Sequence, residues 1–204
     1  NNLEFDHADI FPDLAAIEKN PNLEVFRKRK LEVLYLTEPV DEFVMNALGS
    51  YSGKLLTSID SDDLDLPEAP ADEKADEAEA TKAEPGFARV LTLFREAIGD
   101  RVREVRESHR LTDSPCCLVN ADGSFSTQMQ RILKMANQVV PEISRILEVN
   151  PKSPLIRRLS QLTANADHDA FVKECGLQLW SNALILEGVT PDARELVGRI
   201  QSFM

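Results

Sequence analysis

The stretch that decides the fold is residues 98–120, IGDRVREVRESHRLTDSPCCLVN. Within it, residues 102–108 alternate apolar and charged side chains, which is typical of a strand with one buried face. Residues 115–120 form a short apolar run that predicts a second strand. Gly99 is placed to end a preceding helix, and a polar loop, SHRLTDSP at residues 108–115, joins the strands. The stretch therefore predicts two strands of a small sheet, preceded by a helix.

The residues around this stretch extend the same α+β pattern. An apolar stripe at helical spacing predicts a helix before Gly99, and it comprises Phe87, Val90, Leu91, Phe94 and Ile98. Residues 143–149 offer a third strand, and three short helices follow. Two of those helices are predicted to begin with a hydroxyl N-cap before proline, at Ser153-Pro154 and Thr190-Pro191.

The first sixty residues predict a separate α/β unit. Its near-continuous apolar run at residues 31–36, LEVLYL, is typical of a strand covered on both faces. The other predicted elements are helices at 14–19, 23–30 and 40–48, the last ended by Gly49, and extended chain at 51–59.

Charge is concentrated between these two units. The 204-residue chain has a net charge of −12, and residues 60–84, with eleven acids and two lysines, account for −9 of it. This segment has two prolines, with a third directly after it at Pro85, and few large apolar residues, so it cannot bury enough surface to offset the cost of ordering. We predict a solvated linker; an acidic segment that binds a basic partner is the alternative.

Composition excludes several functional classes. Hydrophobic residues make up 43% and charged residues 28% of the chain, which is ordinary for a soluble globular protein. No run approaches the roughly 18 apolar residues of a membrane span, and the negative charge argues against nucleic acid as a partner. We therefore expect neither a membrane nor a nucleic-acid role, and the three cysteines indicate a reducing compartment, the cytoplasm.

Several motifs in the same order resemble one family, the bacterial ninety-kilodalton heat-shock chaperones of the HtpG group. The matching strings are NPNLEVFRKRKLEVLYLT at 20–37, DEF at 41–43, the SHRLTDSP loop, FSTQM at 125–129, LEVNP at 147–151 and PLI at 154–156. Two positions depart from the family pattern: Lys30 stands where the family usually has glycine, and Ser153 where it often has histidine.

The resemblance implies a domain organisation. Residues 1–59 would be the α/β C-terminal portion of the chaperone's middle domain, 60–86 an acidic linker, and 87–204 an α+β C-terminal domain with a small mixed sheet. The terminal helix pair of that domain would join a second copy in a dimeric four-helix bundle.

The resemblance also implies a function in the stress response and protein folding. The parent would be an ATP-dependent chaperone whose ATP and Mg²⁺ bind upstream, so this part would be non-enzymatic and carry no cofactor. It would hold two protomers together as a homodimer and present apolar surface to unfolded or partly folded client proteins.

Two apolar helices near the C-terminus carry the dimerisation hypothesis. Their broad apolar faces need covering, either by their own domain or by a second copy, and the resemblance favours the second copy. The predicted dimer residues are Leu177, Trp180, Leu184, Ala193, Leu196, Val197, Ile200 and Phe203.

Two further segments carry the client-contact hypothesis. A helix opened by Ser124 or Ser126 has an apolar stripe that is either core or, as the resemblance implies, an amphipathic client contact; it comprises Phe125, Met129, Ile132 and Leu133. The resemblance also implicates Glu42, Phe43 and Asn46, with Phe43 at a position where the family often has tryptophan; core packing of Phe43 is the alternative.

Other chemistry has little support. His7, His109 and His168 lack metal-ligand spacing, so we expect no metal site. Cys116 and Cys117 lie in an apolar strand and are predicted to be small buried residues rather than a redox pair. His109 and Arg110, with Asp113 nearby, are predicted to satisfy buried polar groups and a turn.

Overall fold

The computed structural model describes residues 14–64, 66, 85–121, 129, 132–133 and 145–204, which form a mixed α/β structure. The helices are α1 (Leu14–Glu18), α2 (Glu24–Lys28), α3 (Pro39–Leu48), α4 (Phe87–Ile98), α5 (Pro154–Leu162), α6 (Asp169–Leu186) and α7 (Ala193–Phe203). The strands are β1 (Ser50–Tyr51), β2 (Lys54–Leu55), β3 (Glu104–Glu107), β4 (Cys116–Asn120) and β5 (Arg145–Val149). Short 3₁₀ turns occupy Pro21–Leu23, Gly99–Arg101 and Ala166–His168.

The three strands predicted in the C-terminal part form one sheet, which confirms that prediction. The spatial order is β3-β5-β4, with β5 parallel to β3 and antiparallel to β4. Leu147 of β5 lies opposite Val105 on one side and Leu118 on the other. A mixed sheet of this kind needs cover on both faces, and all five residues of β4 are buried.

Helices α4 and α6 form the main core with one face of the sheet. Phe94 of α4 is fully buried and lies against Gly176 of α6, where a Cβ atom would come within 2.5 Å of the Phe94 ring. This close approach requires glycine, because any side chain at residue 176 would displace the ring. Leu118, Leu147 and other residues of the sheet join the same cluster.

The free edge of β4 is covered by the N-terminal part of the chain. The side-chain amide of Asn22 donates to the carbonyl of Leu118 (3.2 Å). Two residues further along, the backbone of Asn120 pairs with residues 60–62 through hydrogen bonds of 2.7 and 3.0 Å. An exposed strand edge invites pairing with another chain, and these contacts remove that risk on β4.

Several predicted elements are confirmed and two are wrong. Helices α1 to α4 lie where they were predicted, and Gly49 ends α3 with a φ of +62°. The predicted strand at 31–36 has no strand partner among the described residues and is partly exposed, with Leu34 63% accessible. A strand needs a neighbouring strand to pair its backbone, so an apolar run alone does not make one.

The start of the last helix also differs from the prediction. Ser153 occupies the N-cap position of α5 before Pro154, as expected, but its hydroxyl makes no capping hydrogen bond. Helix α7, however, begins after Asp192 rather than at Thr190-Pro191, because the Asp192 carboxylate accepts hydrogen bonds from the N–H groups of Arg194 (2.8 Å) and Glu195 (3.4 Å). The predicted extended chain at 51–59 contains a small β1–β2 hairpin whose turn residues, Ser52 and Gly53, both have positive φ.

Candidate functional site

The candidate interface lies on the terminal helix pair, α6 and α7. One side of α6 is anchored in the core by Val172, Gly176, Leu179, Ala183 and Leu184. Leu184, predicted as a dimer residue, thus packs in its own chain's core. The remaining surface of α6 supports α7, which follows after the turn at Gly188.

Polar contacts hold α7 on α6. Arg199 is 7% exposed, and its guanidinium donates to Ser181 Oγ (3.0 Å) and lies 3.5 Å from the Glu174 carboxylate. Because a buried guanidinium without partners is costly, these bonds fix the face that α7 turns toward α6. Sequence reasoning missed Arg199, since a charged residue on an amphipathic helix is normally assigned to solvent.

A second polar contact ties α7 to the body of the protein. Arg101 is paired with Glu195 of α7 through two bonds of 3.2 and 3.4 Å. The guanidinium carbon of Arg101 also lies 5.2 Å from the centre of the Trp180 ring on α6, a cation–π distance. Trp180 is therefore half-buried by a contact within its own chain.

This arrangement turns the apolar side of α7 outward. Val197, Ile200 and Phe203, three predicted dimer residues, are each at least two-fifths exposed. The ring of Phe203 meets that of Phe171 edge to face, with 5.9 Å between centroids. We define the terminal apolar band as the exposed large apolar residues of this pair: Phe171, Ile185, Leu186, Val197, Ile200 and Phe203.

The other predicted dimer residues lie around this band. Leu177 and Leu196 are half-buried, and Ala193 is exposed at the start of α7. Ile185 and Leu186 were not predicted; their position at the end of the α6 stripe was the available signal. Their exposure makes the terminal apolar band the candidate interaction surface.

The predicted client residues fall in two places. On α3, Phe43 is 49% exposed, Glu42 is half-buried, and exposed Asn46 donates from its side chain to the Glu42 carbonyl (2.8 Å). Val40, Val44 and Leu48, the apolar neighbours of Phe43, are exposed as well. The core alternative for Phe43 therefore does not hold within the described part of the chain.

The second set lies on the helix predicted after residue 124. Met129, Ile132 and Leu133 are in helical conformation, and Phe125 lies outside the described residues. Met129 is buried, with 6% of its surface exposed, while Ile132 and Leu133 are partly exposed. Among the described residues of this predicted helix, Ile132 and Leu133 are therefore the ones that offer apolar surface.

The SHRLTDSP loop forms a buried polar cluster around Glu148 of β5. The Glu148 carboxylate accepts from Ser108 Oγ (3.0 Å), Arg110 Nε (3.0 Å) and Arg106 Nη2 (2.8 Å). Arg110 is thus a satisfied buried group, as predicted, whereas His109 is exposed. The guanidinium groups of Arg106 and Arg110 thus balance the charge of this buried carboxylate.

The same loop binds a carboxylate from the N-terminal part. Glu24 of α2 accepts hydrogen bonds from the backbone N–H groups of Thr112 (2.7 Å), Asp113 (2.9 Å) and Ser114 (3.0 Å). Burial acts to raise the pKa of Glu24, but the hydrogen bonds from Asp113 and its neighbours outweigh it, so the pKa lies below the ordinary 4.5.

The cysteines are packing residues. Cys116 and Cys117 are buried, and burial raises the pKa of Cys116 to about 12. Burial likewise raises the pKa of Cys117 well above its ordinary value. Since the thiolate is the reactive form, both side chains are inert near neutral pH, and the prediction of small buried residues is confirmed.

Two further features, a metal-binding cluster and a membrane-spanning helix, are absent from the described ranges. Within them, no three His, Cys, Asp or Glu side chains come close enough together to bind a metal ion, and His7 lies outside them. None of the helices in these ranges combines the length and the apolar character that a bilayer crossing requires.

Comparison with known proteins identifies the relatives of the chain. A profile of the Hsp90 protein family matches residues 12–204. The chaperone protein HtpG of Geobacter sulfurreducens is 41% identical over 175 residues, which cover 85% of this chain and 27% of that protein. HtpG of Burkholderia ambifaria is 43% identical over 173 residues (85% of this chain and 26% of that protein). HtpG of Oleidesulfovibrio alaskensis is 38% identical over 197 residues (95% and 31%). The chain spans between a quarter and a third of the length of these relatives.

Proposed function

The chain belongs to the Hsp90 family, and from that premise we propose that it is the dimerisation and client-contact part of an ATP-dependent chaperone. The observation that carries the proposal is the terminal apolar band, which the described part of the chain leaves uncovered although polar contacts hold α7 in place.

A second copy of the chain is the proposed cover. Two helix pairs that meet through the same face form a symmetric four-helix bundle, and each band then covers the other. A stable interface of this type buries on the order of 1,200–2,000 Å² in total. The Arg199 side of α7 stays turned toward α6, so charged groups remain outside the centre of this interface.

Sedimentation equilibrium over a wide concentration range tests the dimer. We expect a species of twice the 22.8 kDa chain mass. Ile200→Asp should raise the dimer dissociation constant at least a hundredfold, since it places a charge in the band. Leu155→Asp is the matched control: Leu155 is 46% exposed, close to the 43% of Ile200, but lies on α5. A wild-type chain that stays monomeric at high micromolar concentration would refute the dimer.

The proposed client surface consists of α3 and the helix that carries Ile132 and Leu133. Exposed apolar side chains on one helical face suit binding to unfolded segments, which offer apolar groups without fixed shape. Phe43→Lys should weaken binding of a reduced and carboxymethylated reporter protein that stays unfolded, and should leave the dimer intact. Tyr51→Lys is the control, because Tyr51 is also exposed but lies on the β1–β2 hairpin.

Met129→Lys combined with Leu133→Lys tests the second helix. If this variant loses client binding but remains folded, the helix is a client contact. If the variant unfolds, Met129 is a core residue, in keeping with its burial, and the client surface is confined to α3.

We further propose that ATP and Mg²⁺ bind upstream in the whole chaperone, so that this part hydrolyses no ATP. Its contribution would be mechanical: two protomers joined at one end open and close together at the other. An ATPase assay on the isolated chain, expected to give only the buffer background, tests this assignment.

A further inference from the structure

Residues 59–62, which we call the strap, lie at the start of the segment whose composition predicts a linker. The strap is nevertheless hydrogen-bonded along its whole length. The carbonyl of Asp60 accepts from the N–H of Asn120 (2.7 Å), and the N–H of Asp62 donates to the carbonyl of Asn120 (3.0 Å). The Asp60 carboxylate accepts a further bond from the side chain of Asn120 (2.7 Å). These three bonds attach the strap to the free edge of β4.

Arg110 attaches the same strap to the centre of the sheet. Its guanidinium donates to the carbonyls of Ile59 (2.7 Å) and Ser61 (2.9 Å), and its Nε donates to Glu148 of β5 (3.0 Å). Arg110 and Glu148 are both about 95% buried. A planar guanidinium that is held on one edge by a carboxylate presents its remaining N–H groups in a fixed direction, here at the strap.

The far end of the acidic segment is fixed on the same unit. Gly86 has a φ of +110°, and a Cβ atom there would lie 2.4 Å from both the Ser160 carbonyl and Thr163 Oγ1 of the α5 region. Thr163 also donates to the Gly86 carbonyl (3.4 Å). The acidic residues between the strap and Gly86 therefore begin and end at fixed points on one body.

Other bonds also join residues 14–62, the N-terminal unit, to residues 85–204, the C-terminal unit. They include the bond from Asn22 to Leu118 and the three amide bonds to Glu24 described above. Both joints and the strap meet β4 or the SHRLTDSP loop that precedes it. The strap has one further bond, from Nη2 of Arg106 on β3 to the Asp62 carbonyl (3.4 Å).

From this arrangement we propose that the strap, locked by Arg110, fixes the position of the N-terminal unit on the C-terminal unit, and that this position does not depend on the acidic residues 67–84. The two units should then remain associated even when the acidic segment that connects them is cut. This inference is independent of the dimer and of client binding.

Cleavage of the acidic segment tests the proposal. A site for a sequence-specific protease is inserted between Ala78 and Glu79, the folded protein is cut, and the association of the two fragments is measured by size exclusion and by titration of labelled N-terminal fragment. We expect the fragments of the otherwise wild-type chain to remain associated at micromolar concentration.

Variants of the strap test whether its hydrogen bonds hold the two fragments together. Asp60→Ala with Asp62→Pro removes two of the bonds between the half-buried strap and Asn120 and alters no core residue, and should raise the fragment dissociation constant about tenfold. Asp63→Ala is the matched control, because Asp63 is an exposed acid of the same segment whose backbone, not its carboxylate, contacts Ser61. It should leave the constant unchanged.

Arg110→Met should weaken association further, provided that circular dichroism shows a folded C-terminal unit. Replacing residues 68–82 with a Gly/Ser sequence of equal length should have no effect on association. The proposal is overturned if the cut wild-type fragments separate, if the strap variant binds as tightly as Asp63→Ala, or if the Gly/Ser replacement weakens the joint.

Discussion

Lys30 occupies a backbone position that favours glycine. Its φ is +54°, and it follows α2 in a Schellman ending: the N–H of Leu31 donates to the Phe26 carbonyl (2.8 Å) and that of Lys30 to the Arg27 carbonyl (3.2 Å). A Cβ atom in this left-handed conformation costs on the order of 1 kcal/mol. The departure from the family pattern noted in the sequence thus has a measurable energetic consequence.

Lys30→Gly should therefore increase the free energy of unfolding, by about 0.5–1 kcal/mol after the greater entropy of glycine in the unfolded chain is subtracted. Urea denaturation followed by circular dichroism measures the change. Lys30→Ala is the control, because alanine removes the lysine side chain but keeps the Cβ atom, and it should give no gain. Equal gains from both variants would show that the lysine side chain, not the backbone, is responsible.

Glycines 176 and 198 both lie in helices but differ in their surroundings. At Gly176 a Cβ atom would meet the Phe94 ring at 2.5 Å, whereas at Gly198 it would find open space. Gly176→Ala should lower the free energy of unfolding by about 1–3 kcal/mol through overpacking of the core. Gly198→Ala, with the same chemical change, should raise it by about 0.5–1 kcal/mol. Thermal denaturation of the two variants compares them directly, and destabilisation by both would argue against the α4–α6 contact as the cause.

At the scale of elements, the sequence predicts those that depend on their own side chains. The apolar stripe of α4 and the alternation in β3 report burial directly, so both were found. The strand predicted at residues 31–36 failed because pairing depends on a neighbouring strand, which local sequence does not contain. The strap was missed for the related reason that its partners, Arg110 and Asn120, lie about fifty to sixty residues away.

The joint between α2 and the SHRLTDSP loop has a predictable pH dependence. The pKa of Glu24 is lowered in the folded protein, so its stabilising effect is complete above the ordinary value of 4.5 and is lost as the pH falls through the lower folded value. At pH 7, Glu24→Gln should lower the free energy of unfolding by about 1–2 kcal/mol, allowing for partial exposure of the carboxylate.

Below about pH 4 the difference between Glu24→Gln and the wild type should shrink toward zero, since the wild-type carboxyl group is then increasingly protonated. Urea unfolding at a series of pH values measures this. Glu32→Gln, an exposed acid of the same unit, serves as control and should have little effect at any pH. A Glu24→Gln penalty that persists unchanged at pH 3 would mean that shape, not charge, holds the joint.

At the scale of the whole molecule, the sequence located the terminal helices but not their orientation. The helical spacing of the apolar residues predicts which residues of α7 share a face, but it does not predict which face packs against α6. Two polar residues of α7 decide this orientation. Arg199 contacts Ser181 and Glu174 of α6, and Glu195 is paired with Arg101, which lies just after α4. As a result Ile200 and Phe203, which a monomer could have buried, stay exposed and available for a second copy.

If the terminal apolar band pairs two chains, stability must depend on protein concentration. Dimerisation binds only the folded state, so mass action raises the melting temperature as concentration rises. Between about 1 and 100 μM we expect an increase of several degrees, since a hundredfold change in concentration is worth about 2.7 kcal/mol per mole of dimer. Ile200→Asp should abolish this dependence and melt at one temperature throughout, while Leu155→Asp should retain it. If the melting temperature of the wild type does not change with concentration, the exposed band is not a dimer surface in this range. The reason is that a dimer that unfolds into two separate chains must melt at a higher temperature when the chains are more concentrated.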